Sequence, residues 1–145
     1  MPNVASILQN KTTHVVTIAP NATALEAAQR MNQHRIGCLV VTDPRGGRVI
    51  GIISERDILT RLVAQQLDPR LTTVSGIMTH NVAVCSPCTP VDDLRTLMQS
   101  RRIRHVPVVD DTGLCGMVSI GDLNAFDAAG LAATVEALNG YISHG

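Results

Sequence analysis

The chain has 145 residues, of which 45% are hydrophobic and 17% charged, a balance typical of one globular domain with a buried core. Its formal net charge is zero, so no overall attraction to nucleic acid or to an anionic membrane surface is expected. Phe126 and Tyr141 are the only aromatic residues, which excludes an aromatic platform for stacked bases. No apolar run approaches the roughly 20 residues that span a bilayer, and we expect a cytoplasmic protein.

The first half of the chain predicts a strand, a helix, a hairpin and a second helix. Residues 15–18 form the strand, and the first helix begins at the capping pattern Thr23-x-x-Glu26. CLVVT and VIGII are the hairpin strands, joined by the turn residues DPRGG. The second helix begins at Ser54-x-x-Asp57, which is typical of a capping box although Asp replaces the preferred Glu or Gln.

The second half predicts the same order of elements. Residues 82–85 align with the first strand, Thr89-Pro90 marks a helix start, and HVPVV and CGMVS form a hairpin across DDTG. The closing helix begins at Ser119-x-x-Asp122, the counterpart of the earlier capping pattern. Since almost the whole chain is covered by these two matching units, internal repetition is its main feature.

The segments outside the two units also follow a pattern. The connector LDPRLTTVSGIMT contains VSGIM, which resembles VASIL at residues 4–8. We expect the first repeat with its lead-in over residues 1–67, the connector and second repeat over 68–127, and a C-terminal helix over 128–145.

One face of that final helix carries apolar residues at spacings of four, three and four. They are Leu131, Val135, Leu138 and Ile142. Such a stripe is more often part of the intramolecular core than a partner surface. It can also pair with its own copy, and because a flat two-repeat module exposes apolar helix faces, we expect a homodimer.

The four cysteines are too few for a disulfide framework in a chain that can build its own core, and we expect free thiols. Cys85-x-x-Cys88 leaves open a redox pair or half of a zinc site. Cys38 and Cys115 stand alone, and the motif lacks the βαβ context of thioredoxin-like proteins. We therefore favour structural cysteines and keep redox or zinc chemistry as an alternative.

Two β-α-β-β-α units containing RIRHVPVVD followed by GMVSIGDL resemble a cystathionine β-synthase (CBS) domain pair, also called a Bateman module. The resemblance covers about residues 4–127, and ISERD, the IMT connector and the C-terminal helix are similar to those of stand-alone bacterial CBS-pair proteins. It implies an α+β fold of tandem repeats with pseudo-two-fold symmetry, plus a C-terminal helix. It also implies a non-catalytic sensor that binds AMP, ATP or NAD(H), uses no other cofactor, and regulates an unknown protein.

The resemblance further implies two ligand pockets, each built across both repeats. Asp57 and Asp122 would accept hydrogen bonds from ribose hydroxyls, at helix starts whose free amides favour phosphate. The residues implied for the first pocket are Ser54, Arg56, Asp57, Ala83, Arg104 and His105. The residues implied for the second pocket are Lys11, Val16, Gly37, Cys38, Ser119 and Asp122.

The two pockets differ in charge, because Arg56 aligns with Gly121 and Arg104 aligns with Gly37. We therefore expect a phosphate in the first pocket and a bulkier ligand, such as a dinucleotide, in the second.

Neighbouring basic residues have simpler interpretations. Arg101 and Arg102 are typical of a solvated helix end, and His105 is equally consistent with packing and with phosphate contact. A CBS pair with empty pockets that acts as a protein adaptor remains the competing hypothesis.

Overall fold

The computed structural model describes residues 1–11 and 14–144, with side chains described as far as residue 140. Two similar units follow one another along the chain. The elements of the first half are α1 Val4–Gln9, β1 Thr17–Ile18, α2 Ala24–His34, β2 Cys38–Thr42, β3 Val49–Ser54 and α3 Glu55–Asp57, continued by a π-helix Ile58–Val63. The elements of the second half are α4 Val74–Ile77, α5 Val91–Arg101, β4 His105–Asp110, β5 Gly113–Ser119 and α6 Ile120–His144.

The helix starts follow the sequence signals. Thr23 Oγ1 accepts a hydrogen bond of 3.1 Å from the backbone N–H of Glu26, so the predicted N-terminus of α2 is confirmed. The helix ends at Arg35, whose left-handed backbone conformation has φ of 55°. α5 ends in the same way at Arg102, with φ of 53°. These two equivalent arginines therefore begin the loops that lead into β2 and β4.

The two repeats differ in their sheets. In the first, β1 pairs in parallel with β2, which pairs antiparallel with β3. In the second, β4 and β5 form a two-stranded hairpin, and the predicted strand at residues 82–85 is wrong. Only Cys85 bridges to Val108.

A proline explains the missing strand. In the first repeat, Val40 donates its N–H to the carbonyl of Val16 at 3.1 Å and extends the contact between the segments. The aligned residue in the second repeat is Pro107, which has no N–H to donate. The first-repeat strand is also shorter than expected, since β1 spans Thr17–Ile18.

The lead-in segments are exchanged between the repeats. α1 packs in the core of the second repeat, with Val4 fully buried and its N–H bonded to the carbonyl of Thr89. α4 packs in the core of the first repeat, with Val74 fully buried and its N–H bonded to the carbonyl of Ala22. Each repeat is therefore completed by a segment that precedes the other one.

Two equivalent glycines make this exchange possible. The space beside Gly51 is filled by Met78, whose Sδ would lie 2.6 Å from a Cβ added there. The space beside Gly116 is filled by Leu8, at 3.0 Å from such an atom. A Cβ at Gly51 would also lie 2.9 Å from the backbone carbonyl oxygen of Thr79, so the lead-in would have to shift there, and the aligned Gly, Met and Leu positions repeat the same packing.

A third apolar cluster joins the repeats. It consists of Cys38, Val40, Ile52 and Met117, with Val15, Val49, Val82 and Leu114 packed around it. The four buried members lie on β2, β3 and β5 and come from both repeats. The α+β architecture with pseudo-two-fold symmetry is thus confirmed, and burial of this cluster holds the two halves together.

The last helix is continuous. α6 runs from Ile120 to His144, so the closing helix of the second repeat and the expected C-terminal helix are one element. No proline interrupts the segment, and Arg95 on α5 pairs with Asp127 at 2.6 Å to fix its first half. Within residues 1–11 and 14–144, no helix is long and apolar enough to cross a membrane.

Candidate functional site

The Ser-x-x-Asp motifs form capping boxes in both repeats. Ser54 Oγ accepts from the N–H of Asp57 at 3.2 Å, and Asp57 Oδ2 accepts from the N–H of Ser54 at 3.0 Å. Ser119 and Asp122 exchange the same two hydrogen bonds, at 3.1 and 2.8 Å. The capping interpretation is therefore confirmed, and it fixes both carboxylates at the first turn of a helix.

Asp57 has further partners that come from the lead-in of the other repeat. Thr79 Oγ1 donates to Asp57 at 3.2 Å from Oδ1 and 3.4 Å from Oδ2. The backbone of Thr79 is itself held by two hydrogen bonds to Ile52, of 2.8 and 3.1 Å. Asp57 is 6% exposed, Arg61 Nε lies 3.8 Å from its Oδ1, and Oδ1 retains a lone pair after these contacts. An additional donor can therefore be accepted there.

A cleft of about 890 Å³ opens between the repeats beside Asp57. Its wall contains all of the residues implied for the first pocket, which are Ser54, Arg56, Asp57, Ala83, Arg104 and His105. Its volume lies in the range typical of sites for small ligands, roughly 300 to 1,000 Å³. The structure thus brings together six residues from three separate segments of the chain.

The cleft is lined by equivalent positions of the two repeats. Ser54 and Ser119 are equivalent and both line it, and so do Gly37 and Arg104. The two walls of the cleft therefore have equivalent backbone positions but carry different charges. Apolar surface is supplied by Ile52, Leu59, Val82, Ile103 and Ile120.

Four arginines line this single cleft. They are Arg56, Arg101, Arg102 and Arg104. Among the residues that the structure describes, none of these guanidinium groups has a hydrogen bond or an ion pair with another group. The interpretation of Arg101 and Arg102 as only a solvated helix end is therefore incomplete, because both also reach the cleft wall.

His105 stands at the start of β4 and is partly buried. Burial lowers the pKa of its imidazole below the ordinary 6.5, and the positive charges of Lys11 and Arg104 act in the same direction. Asp122 and Glu55 oppose this shift without reversing it. His105 is therefore neutral at pH 7 and can both donate and accept a hydrogen bond.

The residues implied for the second pocket are divided. Lys11 Nζ lies 2.8 Å from Asp122 Oδ2 and 2.6 Å from the carbonyl oxygen of Met117. Burial acts to raise the pKa of Asp122, but the hydrogen bonds from Lys11 and Ser119 outweigh it and lower that pKa. Asp122 is thus ionised and already paired.

Ser119 is hydrogen-bonded to Asp122, and Cys38 lies close enough to Lys11 for that charge to act on its thiol, although burial and Asp57 raise the pKa of Cys38 to about 12. Gly37 and Ser119 line the large cleft, whereas Cys38 is buried in the cluster between the repeats. The carbonyl oxygen of Val16 accepts a hydrogen bond from the N–H of Val40. The side chain of Val16 packs against the core of the first repeat. The structure therefore gathers the first set of residues around one cleft, and within the second set it brings Lys11 and Ser119 into contact with Asp122.

A family comparison decides what this arrangement represents. The model of the CBS domain matches residues 4–64 and again residues 74–128. The chain belongs to the CBS domain family. This CBS pair is 37% identical over 120 residues to CBS domain-containing protein YhcV of Bacillus subtilis, over 83% of this chain and 84% of that protein.

Solved structures give the same result. A protein with CBS domains from Burkholderia ambifaria is 35% identical and superimposes with a TM-score of 0.81, over 88% of this chain and 95% of the other. CBS domain protein PAE2072 from Pyrobaculum aerophilum, complexed with AMP, is 31% identical with a TM-score of 0.74, over 83% and 89%. The CBS pair of protein MJ0100, in complex with 5′-methylthioadenosine and S-adenosyl-L-methionine, is 30% identical with a TM-score of 0.77, over 89% and 98%.

Several residues of this CBS pair were not predicted to line the cleft. Glu55, Thr79 and Asn81 do so. Thr79 directly follows VSGIM in the IMT connector, and VSGIM repeats the pattern VASIL of residues 4–8. That pattern does not reveal that the lead-in reaches the opposite repeat, so the contact of Thr79 with Asp57 could not be deduced from it.

The cysteines of the CBS pair are free in the structure. Burial raises the pKa of Cys85 to about 11, and the neighbouring Cys115 acts in the same direction. The nucleophilic thiolate form of Cys85 is therefore disfavoured at neutral pH. Over residues 1–11 and 14–144, no group of three or more His, Cys, Asp or Glu side chains is placed to hold a metal ion.

Proposed function

We propose that this CBS pair is a regulatory module that binds an adenine nucleotide reversibly in the large cleft and performs no catalysis itself. The observation that carries the proposal is the carboxylate of Asp57, which is buried, ionisable and fixed in the wall of the cleft. A carboxylate in this position is suited to the two adjacent hydroxyl groups of a ribose, since it accepts hydrogen bonds and donates none.

The capping box prepares Asp57 for this role. Ser54 and Thr79 orient the carboxylate before any ligand arrives, so little side-chain freedom is lost on binding. A ribose hydroxyl then needs only to donate to the remaining lone pair of Oδ1, because Oδ2 already accepts from Ser54 and Thr79. The same residue thus caps the helix and holds the ligand.

The rest of an AMP molecule matches the chemistry of the cleft. Arg56 and Arg104 supply guanidinium donors for a phosphate, and neutral His105 supplies one more polar contact. The backbone at Ala83 can bond to the edge of the adenine ring, with Ile52 and Val82 beside its faces. Aliphatic contacts are the main apolar support for the base, because no Phe, Tyr or Trp is among the described residues that line the cleft.

The ligands of two solved relatives support this choice. AMP, 5′-methylthioadenosine and S-adenosyl-L-methionine share adenosine, and they occupy proteins that are 30% and 31% identical to this chain. An adenosine-containing ligand is therefore our first candidate, with AMP as the simplest member and ATP and NAD(H) as larger ones.

A second nucleotide at Asp122 remains part of the proposal. A ligand there must share Asp122 with Lys11, whose ammonium group already neutralises the carboxylate. We expect this position, with Val16, Gly37, Cys38 and Ser119 around it, to bind more weakly than the cleft at Asp57.

The competing function is that of a protein adaptor with an empty cleft. Calorimetric titration of the purified chain with AMP separates the two possibilities, with mass spectrometry of small molecules released from the protein as a second measurement. We expect saturable binding and a higher melting temperature, because a ligand selective for the folded state stabilises it. Neither heat of binding nor a thermal shift at millimolar AMP, in protein freed of bound molecules, would favour the adaptor.

A further inference from the structure

A separate cavity of about 480 Å³ lies on the first repeat, between the end of α2 and the beginning of α3. Its volume is within the range of sites for small ligands. Apolar surface is supplied by Ala28, Met31, Ile36 and Ile58. The remaining lining residues carry polar side chains, and they are Asn32, Arg35 and Glu55. An apolar surface with a few polar groups is typical of a ligand site.

Two opposite charges line this cavity without neutralising each other. Arg35 and Glu55 form no ion pair with each other, or with any other residue in the described part of the chain. The side-chain amide of Asn32 likewise has no hydrogen-bond partner among the described residues. A ligand with a single charge could pair with only one of the two charged side chains. A zwitterion, which carries both an anionic and a cationic group, can pair with both.

The backbone fixes the points from which both charged side chains extend. Arg35 ends α2 in the left-handed conformation, and its N–H bonds to the carbonyl oxygens of Asn32 and Met31. The N–H of Glu55 bonds to the carbonyl oxygen of Gly37 at 2.9 Å. The Glu55 side chain packs over this glycine, because a Cβ added there would lie 3.1 Å from Glu55 Cδ. Glycine at position 37 therefore leaves room for the Glu55 carboxylate beside the turn that begins at Arg35.

The repeat alone does not account for this cavity. Ala28 aligns with Arg95 of the second repeat, whose guanidinium group bonds to Asp127 at 2.6 Å and bridges α5 to α6. The small side chain of Ala28 leaves the corresponding helices of the first repeat without such a bridge. Glu55 aligns with Ile120, so the second repeat also lacks the carboxylate. The combination of open space and two opposite charges therefore belongs to the first repeat.

We propose that this cavity binds an α-amino acid with an aliphatic side chain. The carboxylate of the ligand pairs with the guanidinium group of Arg35, which suits it in bidentate contact. The ammonium group donates to Glu55, and the aliphatic side chain covers the apolar surface of Met31, Ile36 and Ile58. This site goes beyond the proposed function and does not depend on it, although Glu55 also lines the large cleft.

The test is an NMR titration of the isotope-labelled, nucleotide-free full chain at about pH 6.5, below the pKa of an α-amino group. The ligands are L-leucine, N-acetyl-L-leucine and L-leucinamide. We expect L-leucine to bind saturably and to shift the amide signals of residues 31–36 and 55–58. N-acetyl-L-leucine lacks the ammonium group and L-leucinamide lacks the carboxylate, so each should bind at least about tenfold more weakly. Either analogue binding as tightly as L-leucine would overturn the inference, as would no saturable binding of millimolar L-leucine.

Substitutions in the cavity test where the ligand binds. Arg35→Gln and Glu55→Gln should each weaken L-leucine binding at least about tenfold, since each removes one charged partner. Both residues are exposed, so neither substitution removes a buried contact and both variants should fold. The matched controls Arg45→Gln and Glu26→Gln change exposed residues outside the cavity and should keep the wild-type affinity. Wild-type affinity in Arg35→Gln or Glu55→Gln would contradict the assignment. Titration of the same protein with AMP tests the proposed function separately.

Discussion

Thr79 and Asp57 are 22 positions apart in the chain, yet the Thr79 hydroxyl lies 3.2 Å from Asp57 Oδ1. The contact exists because the lead-in of the second repeat packs on the first. Thr79 is fixed independently of its side chain, by two backbone hydrogen bonds to Ile52. It therefore acts as a positioning residue for the carboxylate.

Replacing the hydroxyl of Thr79 tests this role. Thr79→Val should lower the free energy of unfolding by about 1 kcal/mol and weaken AMP binding roughly three- to tenfold, because Asp57 loses an orienting donor. Thr79→Ser should restore both values. Calorimetry with AMP and with 2′-deoxy-AMP distinguishes positioning from general stability, since the preference for AMP over the deoxy form should shrink in Thr79→Val. An unchanged preference would contradict the role.

Much of this arrangement was predictable from local patterns. The hairpins and the helix starts at Thr23 and Ser54 were identified because capping side chains and turn residues act within a few positions of themselves. The repeat then paired distant segments without any structural information. The first set of ligand residues came from the resemblance to a CBS domain pair, which implies pockets built across both repeats.

The sequence-based predictions fail where contacts between distant parts of the chain determine the structure. The strand at residues 82–85 looks like β1 in sequence, but Pro107 on the neighbouring strand cannot donate the required hydrogen bond. The exchange of α1 and α4 could not be predicted, because either core accepts a short apolar helix. The positions of Arg101 and Arg102 depend on how the repeats face each other, which local charge patterns do not report.

The ion pair of Lys11 and Asp122 should stabilise the fold. A double-mutant cycle with Lys11→Met and Asp122→Asn, measured by urea unfolding at pH 7, should give a coupling of about 1 kcal/mol. The pKa of Asp122 is lowered from 3.8, so its contribution is present above pH 3.8 and is lost as the pH falls through the lowered value. Coupling that is zero at pH 7, or that grows in acid, would contradict this account.

His105 should report phosphate binding by its titration. Its pKa lies below 6.5 in the free protein, so its neutral form supports stability above pH 6.5, and that stability is lost as the pH falls toward the lowered pKa. A dianionic phosphate nearby should raise the pKa, as an opposite charge favours the imidazolium. NMR titration of the imidazole signals with and without AMP, assigned through His105→Gln, measures this shift. A pKa that AMP leaves unchanged would place the phosphate elsewhere.

The second half of α6 presents an exposed apolar stripe, and we expect this stripe to pair with its own copy. Leu131, Val135 and Leu138 are 67%, 48% and 57% exposed, whereas the side chain of Ile142, the fourth member of the predicted stripe, lies outside the described residues. We expect a homodimer at micromolar concentration by light scattering, and a monomer for Leu131→Glu/Leu138→Glu. Leu71→Glu, at an 82% exposed position outside α6, is the control that should remain dimeric. A monomeric wild type would show that the stripe does not pair.

The carboxylate of Asp57 has an internal control, because Asp122 forms the same capping box without lining the large cleft. Asp57→Asn keeps the shape of the side chain and part of its capping ability. It replaces one acceptor oxygen by a donor that cannot receive a ribose hydroxyl. Comparison of Asp57→Asn with Asp122→Asn therefore separates ligand binding from helix capping.

Calorimetric titration of AMP into the wild type, Asp57→Asn and Asp122→Asn is the most direct test that the cleft holds an adenine nucleotide through Asp57. A hydrogen bond to a charged acceptor contributes roughly 1.5 to 3 kcal/mol, so Asp57→Asn should weaken AMP binding by about ten- to a hundredfold. Asp122→Asn should keep the wild-type affinity of the stronger site. If Asp57→Asn binds AMP like the wild type and only melts at a lower temperature, Asp57 is a helix cap and the proposed ribose contact is wrong.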